Sequence, residues 1–397
     1  MSERLLEKLP QGPRAIAWAG IVFGLVAFWV ALPPLKVREP VLPIVLGLVA
    51  IALGTWAVTR GVRRLGWGAI TVAVLGIGLG YLATRSGVQN LDQVVVWSAL
   101  LAAMLRYATP LAFAAMGGIF SERSGVVNIG LEGMMLSGAF FGILGADKLN
   151  SWPLGLLCAM LAGGTLALIH AFFAVHLRAD QIVSGFAINF LSLGVTGYLF
   201  IDIYGGQGTP PNVPKIPNVH LGFLEDWYFV GPILGQLNLM IWLAFFTIVT
   251  TWVVLFKTPL GLRIRAVGEH PRAADTVGIS VYKTRYAAVV TSGILSALGG
   301  AYLSIGFVNS FNQNMTVGRG FIALAAVIFG NWRPWGAAAA ALLFGFSSAL
   351  AQRLPAYSES AAVLFQALPY VLTLIAVAGV IGRSIPPAAV GRPYKKQ

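Results

Sequence analysis

Glu132 and Arg106 carry ionisable side chains inside otherwise apolar stretches of this sequence. A charge held within a bilayer is costly and marks a functional candidate by default. The chemistry open to these two is passage or gating of a polar solute, not bond-making. Glu132 either lines a path or is a packing carboxylate satisfied by its neighbours. Arg106, with five donors on one planar group, suits bracing several backbone carbonyls. The stretches that hold them are joined by a short turn around Ser121–Ser124, so they run antiparallel, and an intramembrane ion pair between Arg106 and Glu132 is expected. Asn128, Asn189 and Asn312 add polar groups at helix breaks or within apolar runs. Each lines the same path or serves as interhelical glue.

A second pattern lies in Glu269-His-Pro-Arg-Ala-Ala-Asp-Thr-Val-Gly278. Pro271 fits the first position of a helix, and Gly278 ends it about two turns later. A short helix here, with Ala273 and Ala274 small enough for close approach, is either a docking element or an ordinary solvated loop helix. Other chemistry finds little support. A phosphate-cradling loop needs a Gly-Lys pair, and the chain has none. The histidines His170, His176, His220 and His270 are scattered, and they read as loop-flank and helix-end residues. Cys158 is the sole cysteine, which excludes an internal disulfide and a thiolate metal cluster. No catalytic residue, metal site or cofactor is expected.

The elements that must position these residues follow from composition. Of 397 residues, 57% are hydrophobic and 10% charged, against about a quarter charged in a soluble domain. Mean hydropathy is +0.79. The apolar residues fall in runs of roughly 20, the length that crosses a bilayer as a helix. They do not alternate with polar ones, which excludes a barrel. The expected fold is an all-α polytopic membrane protein of about 12 segments, at 15–32, 41–59, 67–84, 94–116, 126–146, 153–175, 181–203, 238–256, 287–305, 320–331, 335–352 and 361–381. The segment at 320–331 is too short to cross as a straight helix and reads as a half-helix supported by protein.

The net charge of +13 reads as an orientation signal, not as a nucleic-acid surface. With the N-terminus inside, nineteen of the 27 basic residues fall in inner segments and seven in outer ones. That bias puts both termini in the cytoplasm. The Pro- and Gly-rich loop 204–237 is then external, and the basic loop 257–286 internal. Gly125–Gly133 and Gly318–Gly330 are both glycine-containing polar breaks that open into helices of opposed direction. This is the pattern of an inverted repeat with broken helices along a translocation path.

Three motifs carry a family resemblance. Phe120-Ser-Glu-Arg-Ser-Gly-Val-Val-Asn-Ile-Gly-Leu-Glu-Gly-Met-Met135, Arg263-Ile-Arg-Ala-Val-Gly-Glu-His-Pro-Arg-Ala-Ala-Asp-Thr-Val-Gly-Ile279 and Gly318-Arg-Gly-Phe-Ile-Ala-Leu-Ala-Ala-Val-Ile-Phe-Gly330 resemble signatures of bacterial ABC importer permeases of the ribose, nucleoside and branched-chain amino acid branch. The resemblance spans about residues 95–382 and is greatest to nucleoside-type permeases. It implies that Glu269, Pro271, Arg272, Ala273, Ala274 and Gly278 form a cytoplasmic coupling element. Arg272 stands where the older importer motif has Glu, which removes one anionic anchor.

The resemblance further implies ABC ATPase subunits, a second permease subunit of a different chain, and an extracytoplasmic substrate-binding protein as partners. It implies a bacterial inner-membrane location and translocation of a nucleoside or related sugar-containing solute, with ATP hydrolysed on the partners. A simple sugar or a branched-chain amino acid would suit the same machine. An ion-coupled secondary transporter is the rival from another class. Residues 1–93 read as an N-terminal three-helix extension, 94–382 as the permease core and 383–397 as a cytoplasmic tail.

Overall fold

The computed structural model describes residues 12–30, 37, 39–85, 96–205, 208–210, 212–353 and 385–396. The chain divides into two compact units, one of residues 1–100 and 347–383, the other of residues 101–346 and 384–397. In the first, helices α1 (Pro13–Trp29), α2 (Val41–Thr59) and α3 (Arg63–Arg85) pack pairwise. Their mutual faces are small: Ala17, Ala27, Ala50, Ala57, Ala69 and Ala73 are buried, whereas Trp18, Leu25, Leu48 and Val74 point outward. Bulk on the outside and small residues within is the reverse of a soluble bundle. It suits helices whose association depends on close backbone approach in lipid.

The second unit takes up α4 (Trp97–Arg123) from residue 101 and holds α5 (Leu131–Lys148) and α6 (Trp152–Ala171), which continues through a π turn to His176. Then come α7 (Gln181–Tyr204), a one-turn α8 (Gly222–Glu225), α9 (Leu239–Lys257), α10 (Pro259–Glu269) and α11 (Pro271–Thr276). Last are α12 (Val281–Ala301), extended by a π segment Tyr302–Val308, then α13 (Arg319–Phe329), and α14 (Pro334–Arg353) as far as residue 346. Helices α5, α6 and α12 pack on one another at the centre, and α5 is buried along nearly its whole length. Side-chain caps fix several starts. Asp180 Oδ1 accepts from Ile182 N and Val183 N, Asn238 Oδ1 from Met240 N, and Thr258 Oγ1 from Gly261 N.

Among the described residues, seven helices are long and apolar enough to cross a membrane: α2, α4, α6 with its π turn, α7, α9, α12 with its π segment, and α14. Helices α1 and α13 are apolar but shorter. The segment expected at 361–381 lies outside the described residues. The loop expected at 204–237 has more structure than its Pro and Gly content suggested. Strand β1 (Asn218–His220) pairs antiparallel with β2 (Gln236–Asn238), with Asn218 opposite Asn238 and His220 opposite Gln236. Val213 and Ile216 anchor this hairpin in a cluster with Phe200, Phe311 and Tyr302.

Candidate functional site

Two interruptions of helical backbone meet at one carboxylate. The first covers residues 124–130 between α4 and α5; the second covers 309–318 between the π segment and α13. Unwound backbone within an apolar layer is tolerated only where protein satisfies its polar groups. Glu132, in the first turn of α5 and 8% exposed, does this for the second interruption. Its Oε1 accepts from Thr316 Oγ1 at 2.6 Å and from Gly318 N at 2.8 Å, and its Oε2 from Gly320 N at 2.6 Å. The carboxylate therefore caps the N-terminus of α13 from a different helix, where free N–H groups and the helix dipole favour negative charge.

Two glycines make the contact geometrically feasible. Gly318 has φ +78°, a left-handed conformation that turns the chain into α13. A Cβ on Gly320 would lie 2.5 Å from the backbone N and Cα of Glu132, so only hydrogen fits there. Arg319 folds back to brace the same turn, with Nη1 donating to Met315 O and Thr316 O.

The first interruption is satisfied from three neighbouring helices. Gln181 Oε1 accepts from Val127 N at 2.7 Å, and Val127 O lies 3.0 Å from His170 Nε2, whose Nδ1 meets Ser184 Oγ. Asn189 acts twice, accepting from Gly133 N at 2.8 Å and donating to Ile129 O at 3.1 Å. Asn128 is fully buried and donates to Ser292 Oγ at 3.0 Å, while its Oδ1 has no partner. Asn128, Glu132 and Asn189 are thus assembled around the two breaks. Asn312 is exposed, on the second break, and takes no part in the Glu132 contact.

The expected Arg106–Glu132 pair is not formed. Arg106 is exposed on α4, both Glu132 oxygens are occupied by α13, and the salt bridges among the described residues are Lys148–Asp147 and His220–Glu225. Antiparallel spans joined by a short turn do not fix which face of each helix a residue occupies: Arg106 is exposed, whereas Glu132 is buried. The carboxylate needs no cation because three hydrogen-bond donors already serve it.

Beside the start of the first break, residues Pro259–Glu269 and Pro271–Thr276 form two helices, α10 and α11, with Pro271 at the start of α11 and Gly278 beyond it at φ +83°. Arg272, Ala273, Thr276, Val277 and Gly278 are exposed. Ala274 is not available for docking as expected: it is 3% exposed and packs with Val267, Val281 and Tyr394. Glu269 is also turned to an internal task, its Oε2 accepting from Ala388 N at 3.1 Å.

A family model described as a branched-chain amino acid transport system permease component matches residues 100–377. The chain is 45% identical to a guanosine ABC transporter permease protein of Bacillus subtilis (strain 168), over 77% of this chain and 99% of that one. It is 40% identical to a nucleoside ABC transporter permease protein of Lactococcus lactis subsp. cremoris (strain MG1363), over 75% and 96%. A second guanosine ABC transporter permease protein of Bacillus subtilis is 25% identical over 75% and 82%. This chain belongs to that permease family. No solved structure matches it.

Several residues that hold this permease together were not singled out from sequence. His170, read as a helix-end residue, is fully buried and bridges the first break to α7. Arg285, counted as a loop cation, is 0% exposed and donates through Nε to Ser124 O and through Nη1 to Arg392 O. Glu122 accepts from Trp332 Nε1, and Arg123 Nε donates to Trp332 O, tying the end of α4 to the segment after α13. The signal was present for Glu122: a carboxylate flanking an apolar run must find a donor. For Thr316 and Gln181 no local pattern distinguishes them from surface residues.

Proposed function

We propose that this permease forms the transmembrane path of an ATP-driven importer whose solute is a nucleoside. The observation that carries the solute class is the 45% identity over 99% of a guanosine permease. Asn128, Glu132 and Asn189 stand beside the path, with Asn312 at its edge, and the Glu132–α13 contact is the element that opens and closes. Two helix interruptions linked by one carboxylate form a two-state contact. Three hydrogen bonds to a single side chain are made or broken together, as alternating access requires.

The remaining assignments follow the same reading. The chain crosses the bacterial inner membrane in about twelve segments, arranged as an inverted repeat after an N-terminal extension of residues 1–93, with both termini in the cytoplasm. The family match beginning at residue 100 supports treating the extension as separate from the transport core. Helix α11 and the exposed Arg272, Ala273 and Gly278 face ABC ATPase subunits, which hydrolyse the ATP. A binding protein delivers solute to the 204–237 hairpin. The second permease is a different chain: Bacillus subtilis and Lactococcus lactis each have a second permease, at 25% and 26% identity, with the same transporter description.

The test is uptake of labelled guanosine, glucose and leucine by cells with and without this permease. Guanosine uptake that requires the permease, is blocked by vanadate and survives an uncoupler is the expected result. Uptake that ignores vanadate and collapses with the uncoupler would assign an ion-coupled carrier instead.

A further inference from the structure

The last described segment is not a loose tail. Residues 385–396 run beneath α10, α11 and the first break and bond to each of them. Ala388 N donates to Glu269 Oε2 and Ala389 N to Gly268 O, at 3.1 and 2.9 Å. Gly391 N donates to Gly125 O at 3.2 Å, inside the first break, and Arg392 O accepts from the buried Arg285 at 3.1 Å. Tyr394 donates to Asp275 Oδ2 of α11 at 2.8 Å and is buried against Val267, Ala274 and Val281. The C-terminal end of α11 and the end of this segment are therefore joined by a side-chain hydrogen bond and a shared apolar contact.

Between them lies a groove of about 380 Å³, walled by Glu269, Pro271 and Arg272 on one side and by Arg392, Pro393 and Lys395 on the other. The side chains of Arg272, Arg392 and Lys395 are exposed, and so is the one acid at the groove, Glu269, which accepts from Ala388 N through Oε2 alone. The groove thus sets three cations against one carboxylate, a net positive balance for whatever enters it. The Tyr394–Asp275 bond ties its two walls together, so the residues that carry the cations flank a concavity rather than a plane. A planar array of mobile lysines is what an anionic lipid surface attracts. A walled concavity flanked by two arginines and a lysine instead suits a single protruding acidic side chain, paired bidentately by arginine.

We propose that the tail and α11 together form a composite docking surface whose basic groove receives an acidic side chain of the ATPase subunit. This rests on the reading of α11 as the ATPase-facing helix and adds to it a second chain segment and a chemical preference. It also accounts for the missing anionic anchor at Arg272: at this position the permease supplies cations, and the partner supplies the acid. Because the tail also binds Gly125 of the first break, force taken up in the groove reaches the path by a backbone hydrogen bond as well as through α12.

The experiment uses the assembled transporter, purified through a tag on the permease and washed at low and high salt, with retained ATPase subunit measured against permease. In the Arg392→Glu, Lys395→Glu double variant, retention at low salt should fall by roughly tenfold, because opposed charges at an interface weaken binding and its salt dependence together. The backbone bonds of the tail are untouched by these changes. A monodisperse elution profile and the milder Arg392→Gln, Lys395→Gln pair, expected to show an intermediate loss, guard against misfolding. Ala273→Trp on the exposed face of α11 is carried in parallel.

Loss in both Ala273→Trp and the tail variant supports the composite surface. Loss in Ala273→Trp with full retention in the tail variant overturns the proposal and leaves α11 as the docking helix. Full retention in both overturns the proposal and that assignment as well. A tail variant that keeps its ATPase in detergent but loses transport only in anionic vesicles assigns the groove to lipid and overturns the proposal.

Discussion

A carboxylate with three donors answers differently to substitution than one half of an ion pair. In Glu132→Gln, one oxygen becomes an NH₂ group facing a backbone N–H of Gly318 or Gly320. Two donors then confront each other in a buried place. The expected loss of stability is about 1–3 kcal/mol, measured as a lower unfolding temperature in detergent, with transport reduced further. Arg106→Met shares no hydrogen bond with this site, so its effect should add to that of Glu132→Gln within about 0.5 kcal/mol. Rescue of one change by the other in a double-mutant cycle would restore the ion pair that the geometry does not show. That Glu132 must find partners was legible in the sequence, since an acid in an apolar run must be satisfied. Which partner satisfies it was not legible, because Thr316 lies 184 residues away and hydroxyl and glycine N–H donors leave no compositional trace.

At the level of elements, the junction of α5 with α13 depends on the absence of a single carbon atom. Gly320→Ala would place a methyl group 2.5 Å from the Glu132 backbone. Neither side is a flexible side-chain end, so α13 must move outward or the three bonds must lengthen. Overpacking of this kind costs about 1–3 kcal/mol, and transport should fall well below wild type while the chain still inserts. Wild-type transport by Gly320→Ala would show that the two helices do not need their close contact. The helices themselves were largely legible: α2, α7 and α9 begin and end within a residue or two of the apolar runs, because length and capping residues such as Asp180 and Asn238 are local features. The hairpin of β1 and β2 was hidden, since its six residues carry no alternation strong enough to stand out from Pro- and Gly-rich surroundings. The inward turn of Ala274 was hidden as well, because its cover, Tyr394, comes from the far end of the chain.

For the whole molecule, the second unit connects its hairpin loop to its tail by an unbroken series of contacts. Ile216 N donates to Ile305 O and Phe311 N to Thr209 Oγ1, so the loop holds the second break. The second break holds Glu132, the helix of Glu132 continues the first break, and the first break accepts from Gly391 of the tail. If the loop is external and the tail internal, this series crosses the membrane. Tyr228, 97% exposed on the loop, gives the test. In a Cys158→Ala background, Tyr228→Cys should react with an impermeant thiol reagent on intact cells. Reaction only after permeabilisation would reverse the assignment of sides.

The bond between Glu132 and Thr316 also bears on how the chain is made. Synthesis delivers the acceptor first, and its donors follow 184 residues later. Throughout that interval the carboxylate sits at the edge of an apolar helix without the partners it will finally have. The eleven residues of α13, for their part, are too few to stay in a bilayer by hydrophobicity alone. Neither partner is settled until the other is present, so this joint closes late in biogenesis. A chain interrupted before it closes carries an unsatisfied acid of the kind by which membrane quality control can tell unfinished proteins from finished ones.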